Sequence, residues 1–232
     1  MTSGAGRARR LDGPGAPIAA SVGRVSLAVT ERAALADTLD VLGPHRPTLC
    51  AGWTTRDLLA HLLVRERQPW ASAGIVLEPL AWVTEKAMAS WADTPWDEAV
   101  QQFREGPPLW SPYRVPAVDT MFNGAEHFVH HEDARRGEPG WQARPPDPTR
   151  DAELWAILER TARMLYRRSP VGVVLHRPAG TPIVARPGER VVTISGEPGE
   201  LLLHGFGRGA VHVETEGADA DVAALGSAPR GF

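Results

Sequence analysis

Apolar residues recur at helical spacing along the chain up to about residue 170. From Val25 onward this pattern predicts a helix that ends at Gly43. Thr54 and Asp57 have the spacing of a capping box, and the leucines that follow them predict a second helix. Further helices are expected over residues 71–91, 94–105, 118–134 and 151–168, with a proline-rich loop over 106–116.

After Pro170 the pattern changes to short β-branched runs separated by Pro, Gly and Ala. Such runs predict neighbouring strands, here over 171–176, 181–186 and 190–195, followed by a helix over 200–208, a strand over 211–215 and a terminal helix over 220–225. The chain is therefore expected to be an α+β protein. We divide it into a flexible extension (1–23), a helical domain (24–169) and a small α/β domain (170–232).

Composition narrows the class of protein. With 25 basic and 28 acidic side chains the net charge is −3, which argues against a nucleic-acid partner. Cys50 is the only cysteine, so no internal disulfide can form, and a cytoplasmic location is expected. No apolar run approaches the roughly 18 residues that span a bilayer, so no membrane association is expected. Monomer and homodimer both remain open.

Three of the eight histidines lie in the segment GAEHFVHHEDARR. Two pairs there have the i, i+4 spacing that places side chains one turn apart on a helix, namely Glu126 with His130 and His127 with His131. The first pair borders the apolar stripe of the predicted helix, whereas the second is turned well away from it. We therefore favour Glu126 and His130 as metal ligands and expect His127 and His131 to face solvent.

A third ligand must come from another helix, and His61 is the best candidate. It lies among Leu58, Leu62 and Val64, where an imidazole without a partner would be costly to bury. Two histidines and one glutamate would leave one position of a tetrahedral ion open, which is typical of catalytic zinc. The alternative is that His61 forms a hydrogen bond to a carboxylate or carbonyl in the core.

Two segments together, CAGWTTRDLLAHLLVRE and NGAEHFVHHEDARR, resemble the mycothiol-dependent maleylpyruvate isomerase family of the DinB-like superfamily. The elements W-x4-L-x-A-H-L and E-x3-H-H-E-D carry the resemblance, which runs from about residue 25 to 225. With PVGVVLHRP and TISGEPGELLLHGFGR the chain is similar to a subgroup of metal-binding proteins in that family.

The resemblance implies an up-down four-helix bundle followed by a small sterol-carrier-like domain. It also implies a divalent metal, usually zinc, held at the positions of His61, Glu126 and His130, with the thiol mycothiol as cosubstrate. The leading hypothesis is thus a thiol-dependent transferase or isomerase acting on a small electrophile, with the metal favouring the thiolate. The alternative is a non-catalytic metal-binding protein whose C-terminal domain binds a lipid or another small ligand.

Several other residues are candidates near this site. Asn123, the only asparagine, shares the face of Glu126, and Arg65 follows His61 by one turn, so either could contact substrate or a ligand. Arg208 ends a predicted helix and is a weaker candidate, because family members can supply an arginine from the second domain. Cys50 is expected to be a small buried residue, with metal ligation as the alternative.

The acids that follow the histidines suggest a hydrolytic alternative. In it a metal-activated water would attack, with Glu132 or Asp133 as the base. We consider it more consistent with the sequence that these two acids are solvated or support a ligand from behind.

Overall fold

The computed structural model of the protein describes residues 26–71, 81–114 and 123–231. The predicted extension over 1–23 lies outside the described residues, as do parts of the helices expected over 71–91 and 118–134. The described residues form an α+β fold with eight α-helices and a four-stranded mixed sheet.

The helices and strands follow one another along the chain as follows: α1 (Leu27–Leu42), α2 (Thr55–Arg67), α3 (Ala81–Ala89), α4 (Trp96–Glu105), a short 3-10 helix (Pro112–Arg114), α5 (Gly124–Arg135), α6 (Pro148–Leu165), β1 (Gly172–His176), β2 (Ile183–Arg186), β3 (Val191–Ser195), α7 (Pro198–Gly205), β4 (Glu214–Glu216) and α8 (Asp219–Ser227).

Local signals set the boundaries of the first two helices. Gly43 ends α1 in a left-handed conformation, with φ at 72°, which favours glycine. At the start of α2 the backbone N–H of Asp57 donates to Thr54, while the Asp57 carboxylate accepts from the backbone N–H of Thr54 at 2.8 Å. The predicted capping box is therefore confirmed. The strand expected over 211–215 is only partly right, because pairing with β3 begins at Glu214.

Helices α1, α2 and α4 enclose a common apolar cluster, to which α5 adds Ala134. α1 packs along α5 and α4, and α2 contacts α3, α4 and α5. The largest fully buried side chains here are Phe103 on α4 and leucines of α1 and α2, namely Leu35, Leu39, Leu58, Leu59, Leu62 and Leu63. Because α2 and α5 approach each other in this region, side chains on their facing surfaces can meet.

The sheet has the strand order β2-β1-β3-β4, in which β1 and β3 are parallel and the outer pairs are antiparallel. Its inner face forms a second apolar cluster with α6 and α7, and this cluster extends to Phe128 and Val129 of α5. α6, which the sequence assigns to the helical domain, packs mainly against α7 and β2. The domain boundary near residue 170 stays a prediction.

Two contacts bring the second part of the chain close to α5. Gly199, in the first turn of α7, lies so near that an added Cβ would meet the Phe128 ring at 2.7 Å. The loop after α7 then places Arg208 beside Asp133. Among the described residues, no helix combines the length and apolar character needed to cross a membrane.

Candidate metal centre

The structure brings together the three residues that the sequence analysis names as metal ligands. His61 extends from α2, Glu126 from the first turn of α5, and His130 from the next turn. One ligand atom from each lies within 4.8 Å of the others. Glu126 Oε1 is 3.6 Å from His61 Nε2 and 3.3 Å from His130 Nε2. Two imidazoles and one carboxylate therefore converge on one point between α2 and α5.

His61 is buried without a hydrogen bond for its ring Nε2. The residue is 5% exposed, and Nε2 has no hydrogen-bond partner among the described residues, with Glu126 Oε1 3.6 Å away. A buried polar atom without a partner destabilises a fold by roughly 1–3 kcal/mol. Burial lowers the pKa of His61, so the neutral form, with a lone pair available, is favoured. This atom fits a metal ligand.

His130 is held from behind by Asp133. Its Nδ1 lies 3.0 Å from Asp133 Oδ2, and Nε2 faces Glu126. When Nδ1–H donates to the carboxylate, the lone pair of Nε2 points into the cluster, an arrangement common among metal-binding histidines. Burial alone would lower the pKa of His130, but Asp133, Cys50 and Glu126 outweigh it and raise that pKa well above its usual value. The surroundings of His130 therefore favour a positive charge at this ring.

Glu126 is ionised despite its surroundings. Burial alone would raise the pKa of its carboxyl, but Arg65, His130 and His61 bring that pKa well below its usual value. Arg65 Nη1 lies 2.5 Å from Glu126 Oε1. Arg65 also donates to Asn123 Oδ1 at 3.3 Å. The candidate Arg65 thus contacts a predicted ligand directly, and Asn123, buried at the N-cap of α5, contacts Arg65.

Two ion pairs clamp the C-terminal half of α5 to α7 and the loop after it. Arg208, in that loop, donates to both carboxylate oxygens of Asp133, at 2.8 and 2.6 Å. In the opposite direction, Arg136 at the end of α5 donates to both oxygens of Glu200 on α7, at 2.9 and 2.6 Å. Burial would raise the pKa of Asp133, but Arg208 and His130 lower it to about 2. Arg208 is therefore connected to the cluster through Asp133, which in turn contacts His130.

The expectation that His127 and His131 face solvent is wrong. They are 1% and 4% exposed, because α1 covers this flank of α5. The ring nitrogens of His127 lie 2.9 Å from the Ala28 carbonyl oxygen and 3.2 Å from Glu66 Oε1. His131 Nδ1 lies 3.0 Å from Glu31 Oε2, and its Nε2 contacts Thr38. The acids Glu31 and Glu66 within predicted helices were the signal that could have revealed this.

Asp133 lies behind His130, which is one of the two roles expected for it, whereas Glu132 and Cys50 differ from expectation. Both acids are buried rather than solvated, at 1% and 0% exposure, and are paired with arginines. Cys50 is partly exposed, and its Sγ lies 3.2 Å from Asp133 Oδ2 and 4.0 Å from His130 Nδ1. It is therefore part of a polar cluster behind His130, a position that depends on contacts between distant segments.

A cavity of about 560 Å³ between α2 and α3 reaches His61. Trp53, Ala60 and Met88 contribute apolar walls, and Arg56, Asp57 and Glu85 contribute polar ones. The Trp53 ring lies 5.1 Å from the His61 ring, centroid to centroid. A small molecule in this cavity would contact the imidazole of His61.

No family model and no curated protein matches the sequence. Structural neighbours include the crystal structure of a mycothiol-dependent maleylpyruvate isomerase, with 17% identity over 82% of this chain and 90% of that one, at a TM-score of 0.44. A histidine-to-alanine mutant of that isomerase aligns with the same coverage and TM-score at 16% identity. A likeness of this size bears on neither activity nor family membership.

Proposed function

We propose that this protein binds a divalent metal, zinc foremost, through His61, Glu126 and His130, and that it is a thiol-dependent transferase or isomerase acting on a small electrophile. The observation that carries the proposal is the convergence of three ligand atoms within 4.8 Å, one of them the buried His61 Nε2, which has no hydrogen bond from the part of the chain that the structure describes. Two imidazoles and one carboxylate form a donor set that suits zinc and leaves a coordination position open.

The chemistry follows from that donor set and from the groups around it. A divalent cation bound here would lower the pKa of an incoming thiol, so that the thiol reacts as a thiolate. Asp133 holds the His130 ring with its Nε2 toward the cluster. The cavity beside His61 supplies space for an electrophile next to the site.

The reacting thiol is proposed to be a cosubstrate, with mycothiol the first candidate. Cys50 is the only cysteine of the chain, and its Sγ is within 3.2 Å of Asp133 and 3.5 Å of Arg208. It contacts His130 on the Nδ1 side, opposite the Nε2 that faces Glu126 and His61. Cys50 would have to move to the Nε2 side of His130 before it could reach a bound metal, whereas an external thiol would not need this movement.

The same proposal extends to the fold. We infer that α1, α2, α4 and α5 form an up-down four-helix bundle, which is supported by the apolar cluster they share. The part after residue 170 would then be the small sterol-carrier-like domain, which reaches the site through Arg208.

The test is metal content followed by a thiol-dependence assay. We expect purified protein to bind one divalent ion per chain and His61→Ala to lose it, because two remaining ligands hold zinc poorly. His45→Ala, at an exposed histidine outside the cluster, is the matched control and should bind normally. Unchanged metal content in His61→Ala would remove the proposed site.

The second arm uses mycothiol with chlorodinitrobenzene as a transfer substrate and maleylpyruvate as an isomerisation substrate. We expect turnover of at least one of them to require both thiol and metal, to stop with EDTA and to recover when zinc is restored. Turnover without added thiol would contradict the thiol-dependent reaction while leaving the metal site intact.

A further inference from the structure

Arg65 holds the one carboxylate oxygen on which the candidate metal ligands converge. Its Nη1 lies 2.5 Å from Glu126 Oε1, and that same oxygen is 3.6 Å from His61 Nε2 and 3.3 Å from His130 Nε2. A cation that binds where these three ligand atoms converge would therefore share Glu126 Oε1 with the guanidinium. The positive charges of Arg65 and of the metal would then lie on either side of the same carboxylate oxygen.

This proximity matters because the site is poorly solvated. The side chain of Arg65 is 12% exposed and that of Glu126 is 21% exposed. Like charges a few ångströms apart repel strongly where solvent screening is weak. The contact between Arg65 and Glu126 thus competes with binding of a metal.

Two features allow Arg65 and Glu126 to separate without either losing its place. Glu126 lies in the first turn of the twelve-residue helix α5, where the helix dipole favours a carboxylate. Arg65, for its part, has other contacts nearby. It donates to Asn123 Oδ1 at 3.3 Å and lies 5.4 Å from the centre of the Tyr113 ring. The guanidinium can release Glu126 and keep these two partners.

We propose that Arg65 is a built-in competitor of the metal, which pairs with Glu126 in the metal-free protein and thereby sets the metal affinity of the site. This inference rests on the proposed metal site. Arg65 would then set the metal affinity through its contact with Glu126. Removing the guanidinium should strengthen metal binding, whereas removing a group that supports a ligand, such as Asp133 behind His130, should weaken it.

The test is the zinc affinity of the full chain, measured by competition with a chromophoric chelator. We expect Arg65→Gln to bind zinc about tenfold more tightly, since the repulsion between two cations is removed and the helix still positions Glu126. Arg65→Lys keeps the charge and should stay close to the wild type. Arg67→Gln, on the same helix, is the matched control, because Arg67 donates to the carbonyls of Gln102 and Gly106 instead.

Thermal unfolding supplies a readout that a purely structural role would not produce. Metal-free Arg65→Gln should melt below the wild type, since Glu126 loses its ion pair, yet saturating zinc should raise its melting temperature by more. If wild type binds zinc and Arg65→Gln binds equally or more weakly, the competition is overturned and the metal site stands. If neither protein binds zinc, both proposals fail.

Discussion

Helix α5 carries two pairs of residues at the same i, i+4 spacing, and the two flanks on which they lie differ in how the buried histidine rings are hydrogen-bonded. On one flank, both ring nitrogens of His127 contact oxygen atoms, and His131 lies between Glu31 and Thr38. On the other flank, His61 and His130 converge on Glu126, and His61 Nε2 has no hydrogen bond from the described residues. Both flanks are buried.

The difference shows which property separates a structural histidine from a candidate ligand. Burial does not, because His127 is more deeply buried than His61, at 1% against 5% exposure. The hydrogen-bonding state of the ring does so for His61, whose Nε2 has no hydrogen bond from the described residues. His130 has Asp133 at Nδ1 and Glu126 Oε1 3.3 Å from Nε2, and it is a candidate because it lies in the cluster. A histidine with both nitrogens engaged stabilises the fold as it stands, whereas a buried nitrogen without a partner is stabilised only when something binds.

The largest expected effect comes from breaking the engaged flank. Glu66 accepts from Arg32 at 2.7 Å and lies 3.2 Å from His127 Nε2, so Glu66→Ala removes the carboxylate that both groups contact. We expect the free energy of unfolding to fall by about 3–5 kcal/mol, as for other broken buried ion pairs. Denaturant unfolding of the metal-free protein measures this.

Glu98→Ala provides the comparison at an exposed glutamate on α4 and should change stability by less than about 0.5 kcal/mol. Equal effects of the two substitutions would mean that the engaged flank adds little to stability.

A smaller effect is expected from the support behind His130. Asp133→Asn replaces the carboxylate that contacts His130 Nδ1, and we expect zinc affinity to fall about 10–100-fold. Chelator competition measures the change, and Arg208→Gln should shift affinity in the same direction. Arg136→Gln breaks the other half of the clamp, which does not contact His130, so it should lower stability with little effect on affinity. A similar loss of affinity in Arg136→Gln would contradict this assignment.

The smallest effect provides the sharpest test of the comparison. His61→Leu removes a buried nitrogen that has no hydrogen bond within residues 26–71, 81–114 and 123–231, so we expect the metal-free protein to be stabilised by up to about 1 kcal/mol. His127→Leu is the same change on the engaged flank and should destabilise, because Glu66 and the Ala28 carbonyl each lose a contact. Equal destabilisation by both substitutions would remove the distinction between the two flanks.

The parts of the fold predicted well from sequence are those with local causes. The capping box of Thr54 and Asp57 and the end of α1 at Gly43 depend on residues close in the chain. Likewise, His61 stands out because apolar residues surround it in the sequence, and the structure places it beside Glu126 and His130. That these three bind a metal stays a prediction.

The parts missed depend on distant segments. The helical wheel of α5 contains only its own residues, whereas its second flank is covered by acids from other helices, such as Glu31, which is 100 residues from His131. Arg208 meets Asp133 across 75 residues. Asn123 stands out in the sequence as the only asparagine, but its contact with Arg65 depends on the approach of α2 to α5.

The pairing of Asp133 with Arg208 also has a consequence for synthesis of the protein. His61, Glu126 and His130 all leave the ribosome before Arg208 does, because they precede it in the chain. Until then Asp133 lacks its arginine, and the ring of His130 lacks its final support. The nascent chain therefore completes the contacts around the candidate metal site late, only once the segment after α7 has folded back onto α5.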